Sequence, residues 1–276
     1  IMYASFCANA IPLPTELGAL RKLWHLAKRA GEQRQRRYPP AFILAGGKKY
    51  AQKRPLPDKN TKLIWAHTLD YDLYLDHRAK DKAPLLKSDY GVFLDEYSPF
   101  HPDHGVTGAP DCPFKEPTDY FEELNKFMEY FEKEFDWPIV ISAHPRSDYA
   151  AKPDYFKGRQ VIRDRTTDLV AGAKYVLAHG STSINLAVLF RKPVTFLLPE
   201  KVINSYYGKF IANYAKQLGK KALKLGSIGG IQPERELIVD SDLYSIYVEN
   251  YIKRAGSPKE HFWDIVADRL MGATAN

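Results

Sequence analysis

Two short polar clusters carry the residue types best suited to holding phosphate. His144-Pro145-Arg146 follows the apolar run Ile139–Ala143, and His179-Gly180-Ser181-Thr182-Ser183 follows Tyr175–Ala178. Arginine offers a planar fork of donors that matches phosphate or carboxylate. His144 adds a donor that can share charge with a phosphate, and Pro145 stops the strand. In the second cluster Gly180 allows close backbone approach. The hydroxyls cap the helix-compatible run Ile184–Phe190, whose unpaired N–H groups would form an anion site. His179 is read as a further phosphate contact, with a satisfied buried histidine as the alternative. Each cluster alone is an ordinary charged turn or N-cap; together, at the ends of two neighbouring predicted strands, they favour phosphate binding. Tyr149 and Tyr155 lie close enough in sequence to stack on a base.

Other groups suggest metal chemistry less strongly. Asp70-x-Asp72 has the spacing of a carboxylate pair that could hold a divalent ion at a sugar-nucleotide, and equally that of surface or capping carboxylates. His101, Asp103 and His104, with Cys112 as a fourth candidate, could ligate a metal, but ligands from one tight turn leave poor geometry. No metal site is therefore assigned, and no cofactor; magnesium remains a less favoured option.

The elements needed to position these clusters are legible. Unbroken apolar runs at Ala41–Ala45, Leu63–Ala66, Gly91–Leu94, Ile139–Ala143, Tyr175–Ala178 and Pro193–Leu198 read as buried parallel strands. A helix is predicted from Thr118 to about Phe135, with Phe121, Leu124, Met128, Phe131 and Phe135 as its buried stripe. Further helices are expected over 205–218 and 240–254, and a last one opened by the capping box Ser257-Pro258-Lys259-Glu260. In open parallel sheets, ligands sit at the carboxyl ends of strands, where both polar clusters fall. Gly46-Gly47, after the Ala41–Ala45 run, can likewise bring backbone close to a ligand. The expected organisation is an N-terminal domain over 1–87, a phosphate-binding domain over 88–235, and C-terminal helices over 236–276 that pack back.

The chain has 276 residues, 45% of them hydrophobic, which is ample for a core. Its formal net charge is +7 and its pI about 9.1, a balance that attracts phosphates and anionic surfaces. Residues 15–32 read as an amphipathic helix with apolar Leu17, Leu20, Trp24 and Ala27 and a basic polar face, either a peripheral membrane contact or a solvated surface. Basic residues are not interleaved with aromatics in a nucleic-acid motif, so nucleic acid is not favoured. Two cysteines make neither a disulfide framework nor a zinc pattern. With no spanning run and no secretory leader visible, a cytoplasmic setting is expected, peripheral at the inner membrane if the basic helix binds there. The start at Ile1-Met2 suggests that upstream sequence is missing.

A strand ending in His144-Pro145-Arg146, a short helix, a strand ending in His179-Gly180-Ser181-Thr182-Ser183, a helix and the Lys192-Pro193-Val194 strand resemble the nucleotide-binding half of bacterial surface-polysaccharide glycosyltransferases. These are the sialyl-, polysialyl- and Kdo-transferases. The resemblance covers roughly 90–200. It implies an α/β, GT-B-like fold: two Rossmann-like parallel-sheet domains facing a cleft, the first small or truncated. It implies a nucleotide-sugar donor, CMP-linked in preference, and a glycan or lipid-linked acceptor. His144, Pro145 and Arg146 match the His-Pro motif, and Ser181, Thr182 and Ser183 the Ser/Thr motif. The catalytic carboxylate is not fixed by the motif. Asp95 and Glu96 are the first candidates, as general base or nucleophile, and Asp70 the alternative. UDP-sugars, CDP-glycerol, or a non-catalytic phosphate-binding role remain open readings.

Overall fold

The computed structural model describes residues 4–7, 12, 39–49, 59–80, 83–101, 117–228 and 231–274. The chain forms two compact units, Ile1–Leu75 with Ser245–Asn276, and Asp76–Tyr244. Both are α/β with all-parallel sheets, as the GT-B-like expectation requires. The first division falls inside a helix, at 75/76 and not at 87/88, and residues 245–276 group with the first unit. The amphipathic stretch 15–32, and Asp103, His104 and Cys112, lie outside the described residues.

In the first unit β1 (Ala4–Cys7), β2 (Phe42–Ala45) and β3 (Lys62–Trp65) pair in that order, in parallel. Helix α1 (Leu69–Ala79) follows β3 and runs into the second unit.

The second unit is built on six parallel strands. β4 (Gly91–Leu94) is followed by α2 (Pro117–Phe135), β5 (Ile139–Ala143), β6 (Val161–Arg163), α3 (Thr166–Gly172), β7 (Tyr175–Ala178), α4 (Ile184–Leu189), β8 (Val194–Leu198), α5 (Tyr206–Gln217) and β9 (Leu223–Lys224). Short helices α6 (Pro233–Glu236) and α7 (Ser241–Tyr247) close it. Strands β4, β5, β7 and β8 are buried at every position, which explains their unbroken apolar runs. Of the expected α2 stripe, Phe121, Leu124, Met128 and Phe131 are buried and Phe135 is half-buried; Phe127 joins the buried set. At its far end Arg159 forks onto both oxygens of Glu132, at 3.0 and 2.6 Å, tying α2 to the approach to β6.

The strand order is β6-β5-β4-β7-β8-β9. The chain starts at the centre, moves out through β5 to β6, then crosses back to β7 and runs out the other way. The reversal lies between β4 and β7. Parallel pairing with right-handed crossovers leaves a crevice there at the carboxyl ends of the strands.

The chain then returns to the first unit through a π-helical turn, Val248–Ile252, and ends in α8 (Phe262–Thr274). Phe262, Ile265 and Val266 sit at helical spacing and pack with Phe42, Leu44, Ile64 and Ala66. The expected capping box at Ser257 does not open this helix, which starts later. Its first N–H, on Phe262, donates instead to Asp72 Oδ1 at 2.9 Å.

Candidate active site at the reversal of the six-stranded sheet

β4 delivers Asp95 and Glu96 into the crevice, directly between the two polar clusters. Tyr97 after them adopts a left-handed backbone (φ 55°), a conformation a tyrosine holds only when its surroundings fix it. Its ring packs edge-on against Tyr149 at 5.3 Å, and its hydroxyl donates to Asp148.

The two carboxylates reach to opposite sides. Asp95, buried, accepts from the Tyr97 N–H at 2.9 Å, the Tyr149 hydroxyl at 3.0 Å and the His144 N–H at 3.2 Å. Asp95 thus anchors the loop that follows β5. Glu96 accepts from the Gly180 N–H at 2.9 Å and from the Tyr207 hydroxyl, so it anchors the loop after β7 and the first turn of α5. Burial pushes the Asp95 carboxyl up to about 6, against the pull of its three donors. Burial pushes Glu96 up to about 7; Tyr207 and Gly180 oppose this and the Asp95 charge adds to it. A carboxyl near neutrality, beside a second one, is the arrangement of a general base.

The structure places the other predicted residues as follows. His144 is half-buried, while Pro145 and Arg146 are exposed. The Arg146 N–H donates to His144 Nδ1 at 3.2 Å, and the His101 ring lies edge-on to His144 at 5.0 Å. The cluster therefore presents a preset turn at the crevice rim. Ser181 and Ser183 are half-buried and Thr182 exposed, on the other side of β4.

Three expectations change. His179, expected among the phosphate contacts, is fully buried. Its Nδ1–H donates to the Leu197 carbonyl at 2.8 Å and its Nε2 accepts from the Tyr120 hydroxyl at 2.8 Å. Both nitrogens are engaged by protein, and burial holds its pKa down at about 4, so the imidazole is a neutral support beneath the site. The first turn of α4 also differs: Ile184, Asn185 and Leu186 donate their N–H groups to the carbonyls of Ser181, Thr182 and Ser183, and Ser183 makes no side-chain cap. Those three N–H groups are spent internally, and the Ser183 N–H donates to Ser181 Oγ at 3.2 Å; the cluster still offers its hydroxyls. Gly180 serves packing, since a Cβ there would lie 2.4 Å from the Phe210 ring.

Asp70 and Asp72 fall in the first turn of α1. Residues two apart on a helix do not face each other, and Asp72 is spent on capping α8. The pair does not converge on an ion. Asp70 lies in the first unit, half-buried. Among the described residues, no group of three His, Cys, Asp or Glu side chains is arranged to hold a metal. Nor, among the described residues, is any helix long and apolar enough to cross a membrane.

Beside the His144 turn opens a cleft of about 500 Å³, lined by Ser147, Tyr149, Lys152, Tyr155, Phe156 and Arg163 among others. Tyr155 stacks on Phe121 at 4.5 Å, and Tyr149 is committed to Asp95, so both rings are held by protein on at least one side. The residues that sequence reasoning missed are Tyr120 and Tyr207. Tyr207 donates to Glu96, and the Tyr120 hydroxyl, pushed up first by burial, feels both carboxylates. No local pattern marks them; they reach the site only through the fold.

No protein-family model matches the sequence, and no curated protein matches it. Among solved structures the chain is similar to the glycosyltransferase SnogD from Streptomyces nogalater, at 13% identity over 91% of this chain and 64% of that one, with a TM-score of 0.42. It is similar to CalG4, the calicheamicin glycosyltransferase, at 12% identity over 100% and 71%, with a TM-score of 0.47. It is also similar to MurG of Acinetobacter baumannii, at 9% identity over 98% and 67%, with a TM-score of 0.38. The chain spans less than two thirds of the length of SnogD.

Proposed function

We propose that the chain is a glycosyltransferase that moves a sugar from a nucleotide-activated donor, CMP-linked in preference, to a hydroxyl of a cell-surface glycan or glycolipid. The observation that carries the reading is the carboxylate pair raised toward neutrality at the sheet reversal, flanked by the His144-Pro145-Arg146 and Ser181-Thr182-Ser183 clusters. Arg146 neutralises the donor phosphate as it leaves, and His144 and the hydroxyls of Ser181, Thr182 and Ser183 donate to its oxygens. The acceptor oxygen bonds to the anomeric carbon as the bond from that carbon to phosphate oxygen breaks. Glu96 takes the acceptor proton onto a carboxylate oxygen. Asp95, more deeply buried and holding three donors, positions the His144 loop.

A UDP-sugar or CDP-glycerol donor would use the same cradle, and a non-catalytic phosphate-binding role would use it without Glu96. Thermal unfolding with CMP, UDP, CDP and GDP, each with and without magnesium, separates these, because a ligand of the folded state raises the midpoint. A CMP-selective, magnesium-independent rise is expected. A UDP-selective or magnesium-dependent rise would replace the donor assignment. No rise with any nucleotide would remove the transferase reading.

A further inference from the structure

We propose that His101 is a second imidazole of the donor-phosphate site, donating to the same phosphate as His144. The inference rests on the transferase reading and adds a residue from outside its two polar clusters. The dipeptide His-Pro occurs twice in the chain, at 101–102 and at 144–145. The first copy comes after the turn that follows β4, and the second directly follows β5. These two strands are paired neighbours. A proline holds the residue before it in extended backbone, and His101 has that conformation, with φ −63° and ψ 125°.

One buried carboxylate ties the two histidine-bearing turns together. Asp95 Oδ1 accepts from the Tyr97 N–H at 2.9 Å, and Asp95 Oδ2 from the His144 N–H at 3.2 Å. From Tyr97 a 3-10 turn, Ser98–Phe100, leads to His101. The Phe100 N–H closes that turn onto the Tyr97 carbonyl at 2.9 Å. The Phe100 ring fastens it from the side, 5.3 Å from Tyr97, 5.6 Å from Tyr155 and 6.3 Å from Phe121. Lys152 Nζ lies 4.4 Å from the centre of the same ring. His101 emerges half-buried, with its ring edge-on to His144 at 5.0 Å.

Hydrogen bonding fixes what His144 brings to this pair. The Arg146 N–H donates to His144 Nδ1 at 3.2 Å, so the His144 proton sits on Nε2. Ring centres 5.0 Å apart let the two imidazoles serve separate oxygens of one phosphate, through hydrogen bonds of about 2.8 Å each. Packing against His144 would be satisfied by any ring at position 101. A phosphate contact needs the nitrogen.

Calorimetric titration of the full chain with CMP and with cytidine reads the phosphate contribution as the ratio of the two affinities. His101→Ala should lower CMP affinity about tenfold while cytidine affinity and the thermal midpoint hold. His101→Phe, which keeps a ring against His144, should bind CMP as weakly as His101→Ala. His101→Asn, which keeps an N–H donor, should recover part of the loss. If UDP is the nucleotide that binds, the same ratio is read against uridine. A ratio that falls in Arg146→Ala and holds in His101→Ala would overturn this inference and leave the donor reading standing. Full recovery in His101→Phe would also overturn it, making His101 a packing support, as would equal loss of nucleotide and nucleoside. A wild type that binds CMP no better than cytidine, and UDP no better than uridine, would remove the donor-phosphate site itself and His101 with it.

Discussion

The Tyr207 hydroxyl closes onto the Glu96 carboxylate across 111 residues of chain. The other Glu96 oxygen accepts from Gly180, so one side chain is gripped by two elements that follow β7 and β8. Removing the phenol oxygen in Tyr207→Phe takes away a donor that favours the ionised form. The Glu96 titration, followed by carboxyl carbon NMR, should move to higher pH, and the acid limb of any transferase activity should move with it. An unmoved titration would show that Tyr207 has no hold on the carboxylate.

Burial of Glu96 also predicts a pH dependence of stability. Its folded pKa of about 7 lies above the ordinary 4.5, so the unfolded chain releases this proton first as pH rises. The contribution is complete below about 4.5 and is lost as pH climbs through 7, on the order of 3 kcal/mol. His179 works in the opposite sense. Its pKa is lowered from 6.5 to about 4, so its contribution is complete above about 6.5 and is lost as pH falls through 4. The informative quantity is therefore a difference: the midpoint of Glu96→Gln minus that of the wild type should grow from pH 5 to pH 8. A constant difference would mean that Glu96 titrates normally.

His179→Ala should cost about 2–4 kcal/mol in urea unfolding, because it opens a cavity and strands the Tyr120 hydroxyl. Tyr120→Phe should cost about 1 kcal/mol by leaving Nε2 unpaired. If His179 were instead a surface phosphate ligand, its removal would spare stability and abolish nucleotide binding.

Arg146→Ala tests the opposite behaviour. The side chain is exposed, so the unfolding midpoint should hold while nucleotide affinity falls about tenfold or more. Unchanged affinity would take Arg146 out of the donor site.

Gly180→Ala should destabilise by about 1–3 kcal/mol through the clash with Phe210. Phe210→Leu in the same chain should return part of that loss. Absence of rescue would point to the backbone, and not the ring, as the reason for glycine.

What could be read from the chain alone follows the range of the interactions. Strands β5 and β7 fall where the apolar runs place them, and α2 where its aromatic stripe does, because burial on both faces or on one stripe writes itself into local pattern. α1 was missed: Asp70 and Asp72 were read as a possible metal pair or as surface or capping carboxylates, although Tyr71 between them is buried. β6 was missed because it is three residues long and largely exposed. Asp95 and Glu96 were legible as a pair at a strand end. Their donors were not, since Tyr149 and Tyr207 come from elements brought together only by the sheet order. The same reason hid the role of Asp72, whose partner Phe262 is 190 residues away.

That sheet order also dictates when the site can exist. β4 is made first, yet its two neighbours come from either side of a reversal, and Tyr207 emerges from synthesis only after both. A nascent chain halted after β6 contains all three donors to Asp95 and neither donor to Glu96. In order of synthesis, the residue proposed to take the acceptor proton meets its partners last.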